Sequence, residues 1–220
     1  MAYWHIFAGS LKAQNVLILV ASYIFYGWWD YRFLLLIMAS TVVDFIAARK
    51  IHISTSNNSR LGWVWVSITF NLVVLGFFKY YNFFLDSLNS LLVSVGTSVD
   101  FLRLDIVLPV GISFYTFQTM SYTLDVYKKD LEPTNDLVSF AAFVSFFPQL
   151  VAGPIERAKN LLPQLVRQRA FDYGLAVSGM RLILFGLFKK VVIADPLSSK
   201  VDLIFSDYSG LSSADLALGT

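Results

Sequence analysis

The chain has 220 residues, of which 56% are hydrophobic, 16% aromatic and only 15% charged, with a formal net charge of +2. Soluble domains carry about 25% charged residues, so this composition excludes an ordinary soluble fold, and the net charge is too small to argue for a nucleic-acid partner. The absence of cysteine excludes a disulfide framework, a thiolate metal site and a cysteine nucleophile within the chain. The chain reads as a single all-α, polytopic membrane domain over residues 1–220.

Met1 to Gln14 has no basic region leading into an apolar core, so no cleavable signal peptide is expected, and the first apolar block serves for targeting. Val16 to Trp29 is the first expected span, closed by the aromatic anchor Tyr26-Gly27-Trp28-Trp29. Asp30-Tyr31-Arg32 makes a short turn, and Phe33 to Ala48 returns with one acid, Asp44. Both segments are slightly short for a hydrocarbon core of about 30 Å. Arg49 to Arg60 is polar and basic and reads as a loop. Leu61 to Phe78 is the next span.

Tyr81 to Gly96 has apolar positions at helical spacing among Asp86, Asn89 and Ser90, which predicts an interfacial amphipathic helix. Asp105 to Tyr127 is long enough to cross, yet carries Pro109, Gly111, Ser113, Thr116, Gln118, Ser121 and Thr123; it should face other helices. Leu137 to Ala152 covers about 24 Å as a helix, too short for a crossing. Lys159 to Arg169, interrupted by Pro163, is expected on the surface, and Phe171 to Ala194 is a further span.

Basic residues orient most of this. Arg49, Lys50 and Arg60, then Lys128-Lys129, then Arg157 to Arg169 all belong on the cytoplasmic face. That requires Leu137 to Ala152 to dip in and return. The pair Lys189-Lys190 fits neither orientation of the last span.

The most informative run is Ser145 to Arg157, in which Phe146-Phe147 meets Pro148-Gln149, Gly153-Pro154 and Glu156-Arg157. Proline removes a backbone donor and glycine loosens a helix, and at membrane depth such breaks are tolerated only inside protein or along a polar cavity. A matching polar face runs from Gly111 to Asp125, with Ser113, Gln118 and Tyr122 at helical intervals. Polar residues of this kind most often glue helices; lining a substrate passage is the sharper alternative. Asp44 must be paired or hydrated, and Arg181 is a candidate partner. Glu156-Arg157 either caps a helix or presents a guanidinium to an anionic carrier or carbohydrate. The two histidines, His5 and His52, have neither metal-ligand spacing nor a carboxylate partner, and no metal site is expected. The chain shows no complete catalytic constellation.

The run FFPQLVAGPIERAKNLLPQL resembles the signature of the membrane-bound O-acyltransferases. NVLILVASYIFYGWWDYRFLLLI, LGFFKYYNFFLDSLN, LPVGISFYTFQTMSYTLDVYKKD and GLFKKVVIADPL are similar to its alginate O-acetyltransferase branch. The resemblance implies an inner-membrane, multi-pass enzyme that carries an acetyl group through a tunnel to hydroxyls of an exported polysaccharide. It implies an acetyl donor as co-substrate (acetyl-CoA or an acetylated carrier), no bound cofactor, and periplasmic or extracellular acetyltransferase partners. Tunnel-wall or donor-side residues would be Ser113, Tyr115, Gln118, Tyr122, Pro148, Gln149, Gly153, Pro154 and Arg157. It also implies an N-terminal portion whose catalytic histidine lies beyond residue 220, so that the chain alone would be inactive. The rival readings are a transporter or flippase, which would show inverted repeats, and a non-enzymatic membrane scaffold. Activity of the full-length gene product separates them.

Overall fold

The computed structural model describes residues 2–5, 7, 9–97, 104–150, 153 and 156–206. Among them every regular element is helical: α1 (Ala2–His5), α2 (Leu11–Asp30), α3 (Leu34–Ile53), α4 (Asn57–Leu75), α5 (Tyr81–Ser94), α6 (Ile112–Tyr127), α7 (Leu137–Val144), α8 (Phe147–Leu150), α9 (Ala158–Val166), α10 (Tyr173–Phe188) and α11 (Asp195–Ser206). The chain divides into two compact units, 1–169 and 170–220.

In the first unit α3, α4 and α6 pack together, and α7 lies against α2 and α3. The core holds Ile37, Phe45, Ile51, Tyr115, Tyr122, Phe140 and Phe143. The helix ends follow from local chemistry. Ser10 caps α2, its hydroxyl accepting from the Ala13 amide at 3.3 Å. Asp30 leaves helical geometry (φ −159°) and takes the Arg32 amide and guanidinium, which turns the chain through Tyr31–Phe33 into α3. Asp136 caps α7 in the same way.

Several boundaries differ from the sequence reading. The first two spans are not short: α2 and α3 have 20 residues each, about 30 Å, which matches a hydrocarbon core. The expected loop Arg49 to Arg60 shrinks to Ser54–Ser56. Basic residues suit the carbonyl end of a helix, so Lys50 and His52 complete α3 instead of leaving it, and Ser54 bonds back to the Lys50 carbonyl at 2.7 Å. The stretches Leu11–Ile53 and Asn57–Ser94 are long and apolar enough to cross a membrane.

A π-turn over Gly76–Tyr80 joins α4 to α5, and Tyr80 at φ −119° marks the break. The amphipathic segment Tyr81 to Gly96 is helical as expected. Asn82 holds it to the returning chain by bonding the Leu104 carbonyl at 2.8 Å. The expected long helix from Asp105 is corrected: residues 104–110 are non-helical up to a turn at Val110–Gly111, and only the 16 residues of α6 follow as helix. Pro109 and the left-handed Gly111 (φ 74°) set that start.

Leu137 to Ala152 is not one helix either. It stops at Val144 and resumes for four residues from Phe147; Val151 and Ala152 lie outside the described residues. The basic segment after it is more than surface: Ala158, Leu162 and Leu165 of α9 are buried, and Pro163 is accommodated inside the helix. Its polar side faces out while its apolar stripe joins the core.

Among the described residues of the second unit, α10 is the apolar helix. A π-turn over Lys189–Ala194 joins α10 to α11, and Leu182, Ile183, Leu184, Phe185, Leu187 and Phe188 are all exposed. A helix apolar on every side is built for lipid or for other protein. The lysines that fitted neither orientation are satisfied locally, Lys190 by Asp195 and Lys189 by the Phe185 ring, 4.4 Å away.

Candidate functional site

The break between α7 and α8 is where the backbone accounting is tightest. Breaking a helix inside an apolar core orphans carbonyls before the break and amides after it. Three side chains meet them here. Gln118 of α6 donates its Nε2 to the Phe143 carbonyl at 3.1 Å. Ser145 donates to the Ala141 carbonyl at 2.7 Å. Ser22 of α2 accepts from the Phe147 amide at 3.3 Å. The break is therefore held from two other elements, α6 and α2, with Ser145 bonding back onto α7.

Two glycines let the chain close up around it. A Cβ on Gly111 would run into the carbonyl oxygen of Leu150, and its φ of 74° is one that side chains disfavour. A Cβ on Gly153 would lie 2.5 Å from the Cα of Gln149 and 2.9 Å from its Cβ. Both positions need glycine for close backbone approach.

The backbone is satisfied while nearby side chains are not. The Gln149 amide nitrogen and the Thr116 hydroxyl are buried without a hydrogen-bond partner among the described residues, and the Tyr122 phenol lies against the Thr134 backbone. The phenol oxygens of Tyr26 and Tyr115 lie against each other. Buried polar atoms are nearly always partnered, so the unpartnered Gln149 amide next to the helix break is hydrogen-bonding capacity open to a further group. Tyr26 also lines a groove of about 880 Å³ with Ile24, Phe25, Trp28, Trp29 and Val110.

Of the residues singled out from sequence, Tyr115, Gln118, Tyr122 and Gln149 are buried in this region, and Gly153 closes on Gln149. Ser113 turns elsewhere, accepting from Lys79 Nζ at 3.3 Å. Pro148 and Arg157 are exposed. Arg157 stands at the head of α9 without a side-chain cap, while Glu156 accepts from Asn160 at 3.0 Å. Pro154 lies outside the described residues. His52 lines a polar cleft at the far end of α3. Among the described residues no group of acidic, histidine or cysteine side chains could hold a metal.

The sequence reading overlooked Ser22, a polar group within an apolar span, and took Tyr26 for part of an interfacial aromatic anchor, whereas it is buried. It also overlooked Asn15, which is fully buried and joins three elements: its amide donates to Ser139 at 2.8 Å and to the Leu165 carbonyl at 2.7 Å, and its oxygen accepts from Arg169. Burial lowers the pKa of the Arg169 guanidinium from its ordinary value.

Asp44, fully buried, finds its partners within the first unit. Its oxygens accept from Ser67 at 2.5 Å and from Asn71 at 2.8 Å, and Asn71 in turn accepts from Ser40 at 2.7 Å. Thr119 and Thr123 complete the layer. These are three i, i+4 pairs, Ser40/Asp44, Ser67/Asn71 and Thr119/Thr123, one from each core helix, and that spacing puts both members on one face. The layer pins α3, α4 and α6 in register.

Known proteins match most of the chain. It is 41% identical over 196 residues to the probable alginate O-acetylase AlgI of Pseudomonas aeruginosa, covering 89% of this chain and 37% of that protein. Against the protein of the same name from Azotobacter vinelandii the identity is 40% over 196 residues, 89% of this chain and 39% of the relative. Against the peptidoglycan O-acetyltransferase of Helicobacter pylori it is 34% over 221 residues, 89% of this chain and 41% of the relative. The chain thus spans about two fifths of the length of these curated relatives. No protein-family model and no solved structure matches it. Identity at this level over nearly the whole chain, in a sequence whose all-helical fold breaks at its signature run, has one reading: the chain belongs to the membrane-bound O-acyltransferases of the alginate O-acetylase type.

Proposed function

We propose that the protein is a membrane O-acetyltransferase acting on hydroxyls of an exported polysaccharide, and that the α7–α8 break forms part of its acyl passage. Relatives named for alginate and for peptidoglycan support the acceptor class, a sugar hydroxyl, rather than one polymer. In the reaction the bond between the acetyl carbonyl and the donor's leaving group breaks. A new ester bond forms to the sugar oxygen, and the hydroxyl proton ends on the leaving group. The donor is a co-substrate, acetyl-CoA or an acetylated carrier. Exported-side acetyltransferases are the natural partners, and both units belong to one multi-pass inner-membrane domain.

The observation that carries this reading is the helix break with satisfied backbone and unsatisfied side chains. Gln149 offers an amide donor that a passing carbonyl would accept, while the Tyr115 phenol is shared with Tyr26 and the Tyr122 phenol lies against the Thr134 backbone. Gln118 is committed to the Phe143 carbonyl and acts as a positioning residue. The test is deletion of the gene in its host, with ester-linked acetate measured on the exported polymer. Acetate should fall and return with the full-length gene; unchanged acetate would overturn the proposal.

Topology follows from the basic residues. With Ser54–Ser56 on the cytoplasmic face, the short α7 and α8 enter the membrane and return, leaving α9 on that same face. Single cysteines at Ser56 and Lys159, placed in the full-length protein without other accessible cysteines, should resist an impermeant thiol reagent until cells are permeabilised. Labelling of the Lys159 site from outside would mean that the segment crosses.

A further inference from the structure

At the C-terminal end of α3, a polar cleft of about 540 Å³ is lined by His52, Ser54, Thr55, Arg60, Lys129 and Glu132. Arg49 and Asn135 line an adjoining recess that shares His52 and Glu132. It lies where the 20-residue α3 ends, far along that helix from the turn at Asp30.

Its charges are fixed by the fold. Arg60 is held in place, donating to the Tyr127 carbonyl and lying 5.0 Å from the Tyr127 ring centre. Arg49 stacks on Phe45 at 5.6 Å. Neither Lys129 nor Glu132 has an ion-pair or hydrogen-bonding side-chain partner among the described residues, although both line the same cleft. Two cations and an imidazole thus line the cleft against one carboxylate, with Arg49 in the adjoining recess. The helix ends do not decide the sign, since α3 and α6 bring carbonyl ends and α4 an amide end; the side chains do.

Lys129 gives the second observation. It has φ +64°, alone among described non-glycine residues in the left-handed region. It closes α6, its own amide bonding the Val126 carbonyl at 3.1 Å and that of Asp130 the Asp125 carbonyl at 2.9 Å. Glycine is the residue this C-terminal motif prefers. A lysine there bears conformational strain, and strain kept at a cleft is a signature of a working site.

We propose that this cleft binds a phosphate group at the membrane surface. Arg60 and Lys129 are its principal ligands, and Glu132 sets an upper limit on affinity. The group could be carried by an anionic phospholipid or by a soluble phosphate compound, and the chemistry of recognition is the same. The assignment stands whether or not the protein transfers acetyl groups.

The test uses the full-length protein in phosphatidylcholine nanodiscs, with phosphatidylglycerol and inorganic pyrophosphate as separate probes. At least one should bind, more weakly at high salt. Lys129→Gln should weaken that binding about fivefold, and Glu132→Gln should tighten it. Lys129→Gly should raise the melting temperature while weakening binding, a split that a purely structural lysine would not produce. Phosphatidylglycerol binding alone assigns a lipid headgroup; pyrophosphate binding alone assigns a soluble phosphate. Failure of both probes to bind, or equal affinity in Lys129→Gln, overturns the proposal.

Discussion

Asn71→Ala should destabilise the first unit by about 3 kcal/mol, more than any other change in its polar layer. Inter-helical hydrogen bonds in membrane proteins contribute about 0.6 kcal/mol on average and up to about 1.7. Asn71 makes them to three residues, Asp44, Ser40 and Thr119, and its removal leaves the buried Asp44 with Ser67 as its one hydrogen-bonding partner at 2.8 Å or closer. Thr119→Ala removes the 3.4 Å contact to Asn71 and the hydroxyl facing Asp44, fewer inter-helical bonds than Asn71 makes, and should cost about 1 kcal/mol. The measurement is thermal unfolding of the full-length protein in one detergent. Asp44→Asn separates two roles. An asparagine can donate to Ser67, which passes its own proton to Thr123, which donates to the Thr119 carbonyl. Near-native stability and acetylation in Asp44→Asn would make the layer a helix clamp. Native stability with lost acetylation would mean that the carboxyl moves a proton or a charge.

That layer also shows what the sequence could and could not say. Asp44 stood out because a lone acid in an apolar run is costly, and the need for partners was legible. Their identity was not, because an arginine elsewhere looked better than a serine and an asparagine one turn apart on the next helix. Pairing across helices depends on rotation and register, which one-dimensional spacing leaves open. The same holds for the break. Pro148 and Gly153 announced irregular backbone, and Gln118 was picked out on its own helix. That Gln118 answers the Phe143 carbonyl, and that Ser22 answers Phe147, are contacts over 25 and 125 residues of chain. Boundaries failed where a residue's local preference had two uses. The basic residues after Ala48 suit a loop, yet they suit a helix C-terminus as well. Lys159 to Arg169 looked like surface because charge was counted before the apolar positions Leu162 and Leu165 were placed on one face.

Gly153→Leu should lower acetylation by about 100-fold or more while the protein remains inserted and abundant. The physical reason is contact with the chain itself. A Cβ at residue 153 would sit 2.5 Å from the Gln149 Cα, a separation that atoms cannot keep, so the turn carrying Gln149 must move. Displacing a substrate-facing group by about 1 Å is enough for a loss near 10². Gly153→Ala introduces the same Cβ and should already show most of the effect, which distinguishes backbone crowding from the filling of open space by a large side chain. Gly62→Ala is the control, because a Cβ there meets nothing within 4 Å and alanine favours the helix by about 1 kcal/mol; it should acetylate normally and be no less stable. Expression is read by immunoblot of the membrane fraction and activity by ester-linked acetate on the polymer. Full acetylation in Gly153→Leu at normal abundance would show that the close approach of Gly153 to Gln149 has no part in the acyl passage, and the passage would then have to be sought along the groove beside Tyr26.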